Sequence, residues 1–211
     1  MQPLRALSLS LVVLAACSRA PTPPAAQPAA DPAPVAAPSA ATAEAPAAPP
    51  GPALVVTSPP RDAALAAGDA APSFQATTHD GRRVESNGAA RPRALVVYFY
   101  PRDETPGCTR EACAFRDAFR GYNEAGADIV GVSTDSKEAH EGFARHHQLP
   151  FGLVADPQGQ LARAFGLDAS GGFAPRFTFV IGRDGRVARV FPNVRVDGHS
   201  DEVLAAVRAA H

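Results

Sequence analysis

The chain has 211 residues, a formal net charge of −1 and 45% apolar residues, enough for one domain with its own core plus an additional segment. Its 20 Lys and Arg balance 21 Asp and Glu without a basic block, so the charge pattern gives no footprint for nucleic acid. Three cysteines are too few for a disulfide framework or an all-cysteine zinc site.

The chain opens with Arg5, an apolar run over residues 6–16 and Cys17. The run is short for a membrane span and has the anatomy of an export signal. Leu14-Ala15-Ala16-Cys17 resembles the lipobox of bacterial lipoproteins, which implies cleavage after residue 16 and lipid attachment at Cys17. Acyl chains there would hold the protein on a membrane without a transmembrane helix. Ser18 after the lipidated position implies sorting to the outer membrane, facing the periplasm. Thirteen of the 22 prolines fall in residues 18–60, amid alanine and with Arg19, Asp31 and Glu44 as the only charges. Such a tract has little to bury and is expected to stay extended. The expected organisation is a signal peptide over 1–16, a lipidated tether over 17–60 and a folded domain over 61–211.

Within that domain, residues 69–84 read as a lead-in loop and a hairpin turning at Asp80-Gly81. Residues 94–100, Ala-Leu-Val-Val-Tyr-Phe-Tyr, are apolar on both faces and predict a central strand covered on both sides. The pattern over 105–122 predicts one helix with Cys113, Phe115, Phe119 and Tyr122 on one face, stopped by Gly126. A second buried strand over 128–133 leads into Ser133-Thr134-Asp135-Ser136, which can cap a helix over 137–147. Residues 151–155 predict a strand and 158–165 a short helix. A hairpin of strands over 177–181 and 187–191 turns at Arg183-Asp184-Gly185-Arg186, and an amphipathic helix over 201–210 closes the chain. The order describes an α/β domain with a mixed β-sheet flanked by helices, and the thioredoxin-like fold matches it best.

Cys108 stands where the central strand gives way to a helix. A thiol in the first turn of a helix meets unpaired N–H groups and the positive end of the dipole, both of which favour thiolate. Cys108 is therefore a candidate nucleophile. Cys113 forms a C-x₄-C pair with it. Residues five apart on a regular helix are separated by about 7.5 Å along the axis, whereas bridged Cα atoms lie within about 6.8 Å. A disulfide here requires the first turn to unwind, which suits a redox switch better than a staple. A structural disulfide stays open as the alternative. His146 and His147 are expected to point in different directions, the other histidines are scattered, and neither a metal site nor a cofactor is expected.

The segment Tyr98 to Asp117, with Thr105-Pro106-Gly107-Cys108 followed by Glu111-Ala112-Cys113, resembles the active-site signature of the peroxiredoxins, in particular the bacterioferritin-comigratory or Q-type subfamily. The likeness runs from about residue 65 to the C-terminus. It implies that Cys108 is the peroxidatic cysteine, that Cys113 resolves it as an intramolecular disulfide, that Pro101 shields the thiol and that Thr105 hydrogen-bonds the peroxide. Arg176, just before a strand, matches the family's site arginine. The implied activity is reduction of hydrogen peroxide and organic hydroperoxides, followed by re-reduction by thioredoxin or another dithiol donor, in a monomer. A tethered, exported form departs from the usual one, since it would not meet cytoplasmic thioredoxin. A thiol–disulfide oxidoreductase on the same fold predicts C-x-x-C or C-x₃-C, which this spacing is not. A redox-inactive lipoprotein is the remaining alternative.

Overall fold

The computed structural model describes residues 53–87 and 89–210. The signal peptide, Cys17 and the tether up to residue 52 lie outside the described residues.

Eight strands and five helices follow one another among those residues: β1 (Leu54–Val56), β2 (Phe74–Thr77), β3 (Arg83–Ser86), β4 (Ala94–Phe99), α1 (Pro106–Asp117), α2 (Phe119–Glu124), β5 (Ala127–Ser133), α3 (Lys137–His147), β6 (Gly152–Ala155), α4 (Gln160–Ala164), β7 (Phe177–Ile181), β8 (Val187–Pro192) and α5 (His199–Ala209). The main sheet has the order β6-β5-β4-β7-β8. Strands β4, β5 and β6 run parallel, while β7 and β8 are antiparallel additions. This is the mixed sheet of a thioredoxin-like fold.

Every residue of β4 is buried, and its side chains alternate between two cores, as the pleat requires. Leu95, Val97 and Phe99 pack with Phe74 and Ala76 of the small sheet and with Leu161 and Phe165 at α4. Val96, Tyr98 and Tyr100 face the other way, onto Cys108, Phe115, Tyr122, Phe143 and Val203 from the helices. The apolar run thus feeds both layers, and its end delivers the chain to the helix side of the sheet. Tyr98 stacks on Phe115 of α1 with ring centroids 4.8 Å apart, an offset contact that fixes α1 on the sheet. Helix α3 begins as the sequence indicates, with the Ser136 hydroxyl accepting from the Ala139 N–H.

Two expectations need correction. The folded region begins before residue 61. Leu54, Val55 and Val56 pair antiparallel with Ala76, Gln75 and Phe74, and the Thr57 N–H donates to the Ser73 carbonyl. A three-residue apolar stretch cannot bury itself, but on the open edge of β2 it gains ladder bonds and cover together. Residues 54–56, expected within the tether, belong to the folded region. The helix over 105–122 is two helices, α1 and α2, separated at Ala118 (φ −88°, ψ −1°). The buried face of α1 is Cys108, Glu111, Ala112 and Phe115. Cys113 lies beside this face and is only half-buried.

Candidate active site

The site forms where β4 hands over to α1. Tyr100 and Pro101 leave the sheet, a turn follows, and Pro106 opens the helix, where its missing N–H is no loss. Two buried links hold the turn. The Tyr100 hydroxyl donates to Asp103 Oδ1 at 2.7 Å, and His140 Nδ1 of α3 lies 2.8 Å from Asp103 Oδ2. The Asp103 N–H in turn donates to Asp135 Oδ2. Leaving either buried partner unsatisfied would cost about 1–3 kcal/mol, so the turn is tied firmly to α3 and to the loop that leads into it. Glu104 next to it takes the left-handed conformation, φ 58°, and turns outward.

Cys108 sits in the first turn of α1 and is 2% exposed. The Arg176 Nη2 group donates to its sulfur at 3.2 Å. Arg176 reaches in from the residue before β7, which pairs with β4 from Phe99–Phe177 inward, so the sheet register brings arginine and thiol together. Gly107 permits the approach: a Cβ there would lie 3.3 Å from Arg176 Nη2. The other arm of the guanidinium binds Glu111, an ion pair in which the carboxylate is 1% exposed. Glu111 stands one turn after Cys108 on the same helix face, the i,i+3 relation. Burial pushes its carboxyl up to about 7, with Arg176 pulling in the opposite direction. Burial opposes the charge on Arg176 too, but Glu111 and Cys108 outweigh it and hold the guanidinium above its ordinary value. Charge on the sulfur is thus met by a fixed cation at a helix N-terminus.

Among the residues singled out by sequence, the structure joins Cys108 to Arg176 directly. Thr105 occupies the N-cap position without capping: its hydroxyl donates to the Arg102 carbonyl at 3.1 Å and accepts nothing from the helix N–H groups. Its oxygen lone pairs are therefore not spent on the helix. Pro101 lies half-buried at the start of the turn. Cys113 is not brought to Cys108: both thiols are free, five residues apart on an intact helix. Sequence reasoning missed Glu111, Asp103 and His140 as parts of the site. The i,i+3 spacing could have pointed to Glu111, whereas the Asp103–His140 pair spans 37 residues and leaves no local signal. His199 was likewise unassigned. It is buried on Thr178 Oγ1 at 2.8 Å, and burial, with the charge of Arg176, lowers its pKa to about 4. His146 and His147 do not diverge. Both imidazoles reach Glu104, each at 3.1 Å.

Comparison with known proteins gives a consistent picture. The AhpC/TSA family profile matches residues 67–190. A chloroplastic peroxiredoxin Q of Sedum lineare is 39% identical over 145 residues, covering 67% of this chain and 77% of the relative. A putative peroxiredoxin bcp of Coxiella burnetii is 35% identical over 144 residues, covering 65% and 95%. Among solved structures, peroxidoxin BcpB of Mycobacterium tuberculosis superposes with a TM-score of 0.62 at 34% identity, covering 69% of this chain and 97% of that one. A bacterioferritin comigratory protein of Xanthomonas campestris gives 0.58 at 35%, covering 64% and 90%. A thiol under a guanidinium on this fold, matched at this identity over most of the relatives' length, places the chain in the AhpC/TSA family, among the peroxiredoxins of the Q or bacterioferritin-comigratory type.

Proposed function

We propose that Cys108 is the residue on which this thiol-dependent peroxidase acts, and that Cys113 resolves it. The observation that carries the reading is the Arg176 guanidinium 3.2 Å from the Cys108 sulfur in the first turn of α1. The thiolate attacks one oxygen of ROOH, the O–O bond breaks, and RO⁻ leaves and takes a proton to become ROH. Arg176 and the helix N-terminus oppose the negative charge throughout, so they stabilise the transition state as it shifts from sulfur to oxygen. Thr105 orients the peroxide, since a hydroxyl can donate and accept without titrating, and Pro101 keeps bulk water off the sulfur. Cys108 is left as a sulfenic acid. The Cys113 thiol then displaces its oxygen as water, forming an intramolecular disulfide, and a dithiol donor of the thioredoxin type reduces this while becoming oxidised itself. Because α1 holds the two cysteines apart, its first turn must open in every cycle.

The bacterioferritin comigratory protein of Xanthomonas campestris has alkyl peroxide reduction activity, which supports organic hydroperoxides as substrates here beside hydrogen peroxide. The test uses reduced full chain and stoichiometric hydrogen peroxide. Wild type consumes one equivalent and Cys108→Ser none; consumption by Cys108→Ser at the wild-type rate would defeat the assignment.

The setting is a further proposal. The lipobox-like Leu14-Ala15-Ala16-Cys17, followed by Ser18, supports a lipoprotein anchored through Cys17 and held on its Ala/Pro tether at the outer membrane, facing the periplasm. No helix among the described residues is long and apolar enough to cross a membrane. Labelled fatty acid fed to the producing cells should enter the wild type and not Cys17→Ala. Label retained by Cys17→Ala refutes the anchor.

A further inference from the structure

The geometry points to a binding site for one late first-row divalent cation between Glu104, on the turn ahead of Cys108, and His146 and His147, at the end of α3. Glu104 is 42 and 43 positions away from the two histidines, yet the ligand atoms of all three lie within 4.8 Å of one another. Glu104 Oε1 faces His146 Nδ1 and Oε2 faces His147 Nε2, each at 3.1 Å. A triangle of donors with edges of about 3.6 Å holds an ion about 2.1 Å from each corner, the length of zinc–nitrogen and zinc–oxygen bonds. A cation there would take the place of a proton between the carboxylate and each imidazole, and the two stacked rings would turn so that both nitrogen lone pairs meet on it.

The donor set selects the class of ion. Two imidazoles and a carboxylate suit zinc, copper, nickel or ferrous iron, whereas magnesium and calcium favour oxygen ligands throughout. The positions are partly set in advance. His147 is 16% exposed and packs edge-on against Phe143 at 4.9 Å, and the two imidazoles stack with centroids 4.3 Å apart. His146 at 69% and Glu104 at 51% exposure leave the outer side of the site open to water as a further ligand.

The site also has a mechanical meaning. Glu104 belongs to the turn that carries Thr105, and the histidines belong to α3, so the cation would tie the turn to that helix. It would act on the same segment as the buried Asp103–His140 pair, from the solvent side.

The experiment must remove competing thiolates, so it uses the full chain carrying Cys17→Ser, Cys108→Ser and Cys113→Ser. Titration with Zn²⁺ followed by calorimetry should show one saturable equivalent. His146→Ala, at an exposed position, should weaken that binding by about 100-fold, and Glu104→Gln should weaken it as well. Hydrogen exchange of amides in residues 101–108 should slow when zinc is added, and should not slow in His146→Ala. Absence of saturable binding, or equal binding in His146→Ala, overturns the site. Binding without slower exchange overturns the tie between turn and helix.

Discussion

Replacing Arg176 with methionine is expected to lower the rate constant of the reduced protein with hydrogen peroxide by about 100- to 1000-fold, the usual loss when one preorganised donor is removed from a developing charge. Methionine keeps most of the side-chain volume and removes only the charge and the donors. The effect is large because one guanidinium does two things: Nη2 binds the Cys108 sulfur while Nη1 binds Glu111. Glu111 is buried and can take a proton when its partner is lost, so the fold should survive. Arg176→Lys should recover only part of the rate. An ammonium is a point charge and does not present the planar fork that spans sulfur and carboxylate together. Stopped-flow mixing with peroxide at pH 7, with circular dichroism as a check on folding, reads the result. A methionine variant as fast as wild type would remove Arg176 from the chemistry.

The second large effect concerns acid. Glu111 titrates near 7 in the folded protein against an ordinary 4.5, because burial disfavours its charge. The stability from its retained proton is complete below pH 4.5 and is lost as pH rises through 7. His199 titrates near 4 against an ordinary 6.5, again through burial. Its contribution is complete above pH 6.5 and is lost as pH falls through 4. Between pH 4.5 and 6.5 the two slopes oppose and largely cancel. Glu111→Gln removes one of them. That variant should lose about 2–3 kcal/mol more stability than wild type on acidification from pH 6.5 to 4.5, since a tenfold change in proton affinity corresponds to about 1.4 kcal/mol. Urea unfolding at the two pH values measures the difference, and other titrating groups are common to both proteins. Parallel pH profiles would show that Glu111 ionises normally.

Much of this architecture is legible in the sequence, and the reasons are local. A strand apolar on both faces, as in residues 94–100, has few alternatives to a central position, and β4 is buried throughout. The helix over 137–147 carries its cap and its stop beside it, and α3 has those bounds. The reactive junction was also legible, because Thr105-Pro106-Gly107-Cys108, shortly after the apolar run, states a helix start and a thiol in four residues. What escaped depends on distant partners. The β1 strand exists only because β2 offers an edge. The break at Ala118 is one residue wide and accompanies packing of Gly121 against Leu204 of α5, which periodicity cannot express. Asp103 and His140 each look like surface residues until the fold buries them together, and His146 and His147 diverge on a helical wheel but converge on the out-turned Glu104. Cys113 was assigned to the inward face, yet it stands beside it. That position leaves it half-buried.

Peptide mapping of the wild-type protein reads the proposed disulfide switch between Cys108 and Cys113. After one equivalent of hydrogen peroxide, protein alkylated and digested without reductant should contain Cys108 and Cys113 in one cross-linked peptide. Its mass should be that of the two thiols less two hydrogen atoms. The same sample should show faster amide exchange over the first turn of α1 than the reduced protein. Cys113 recovered as a free alkylated thiol after Cys108 has been oxidised, or a disulfide between two chains in its place, would contradict the account.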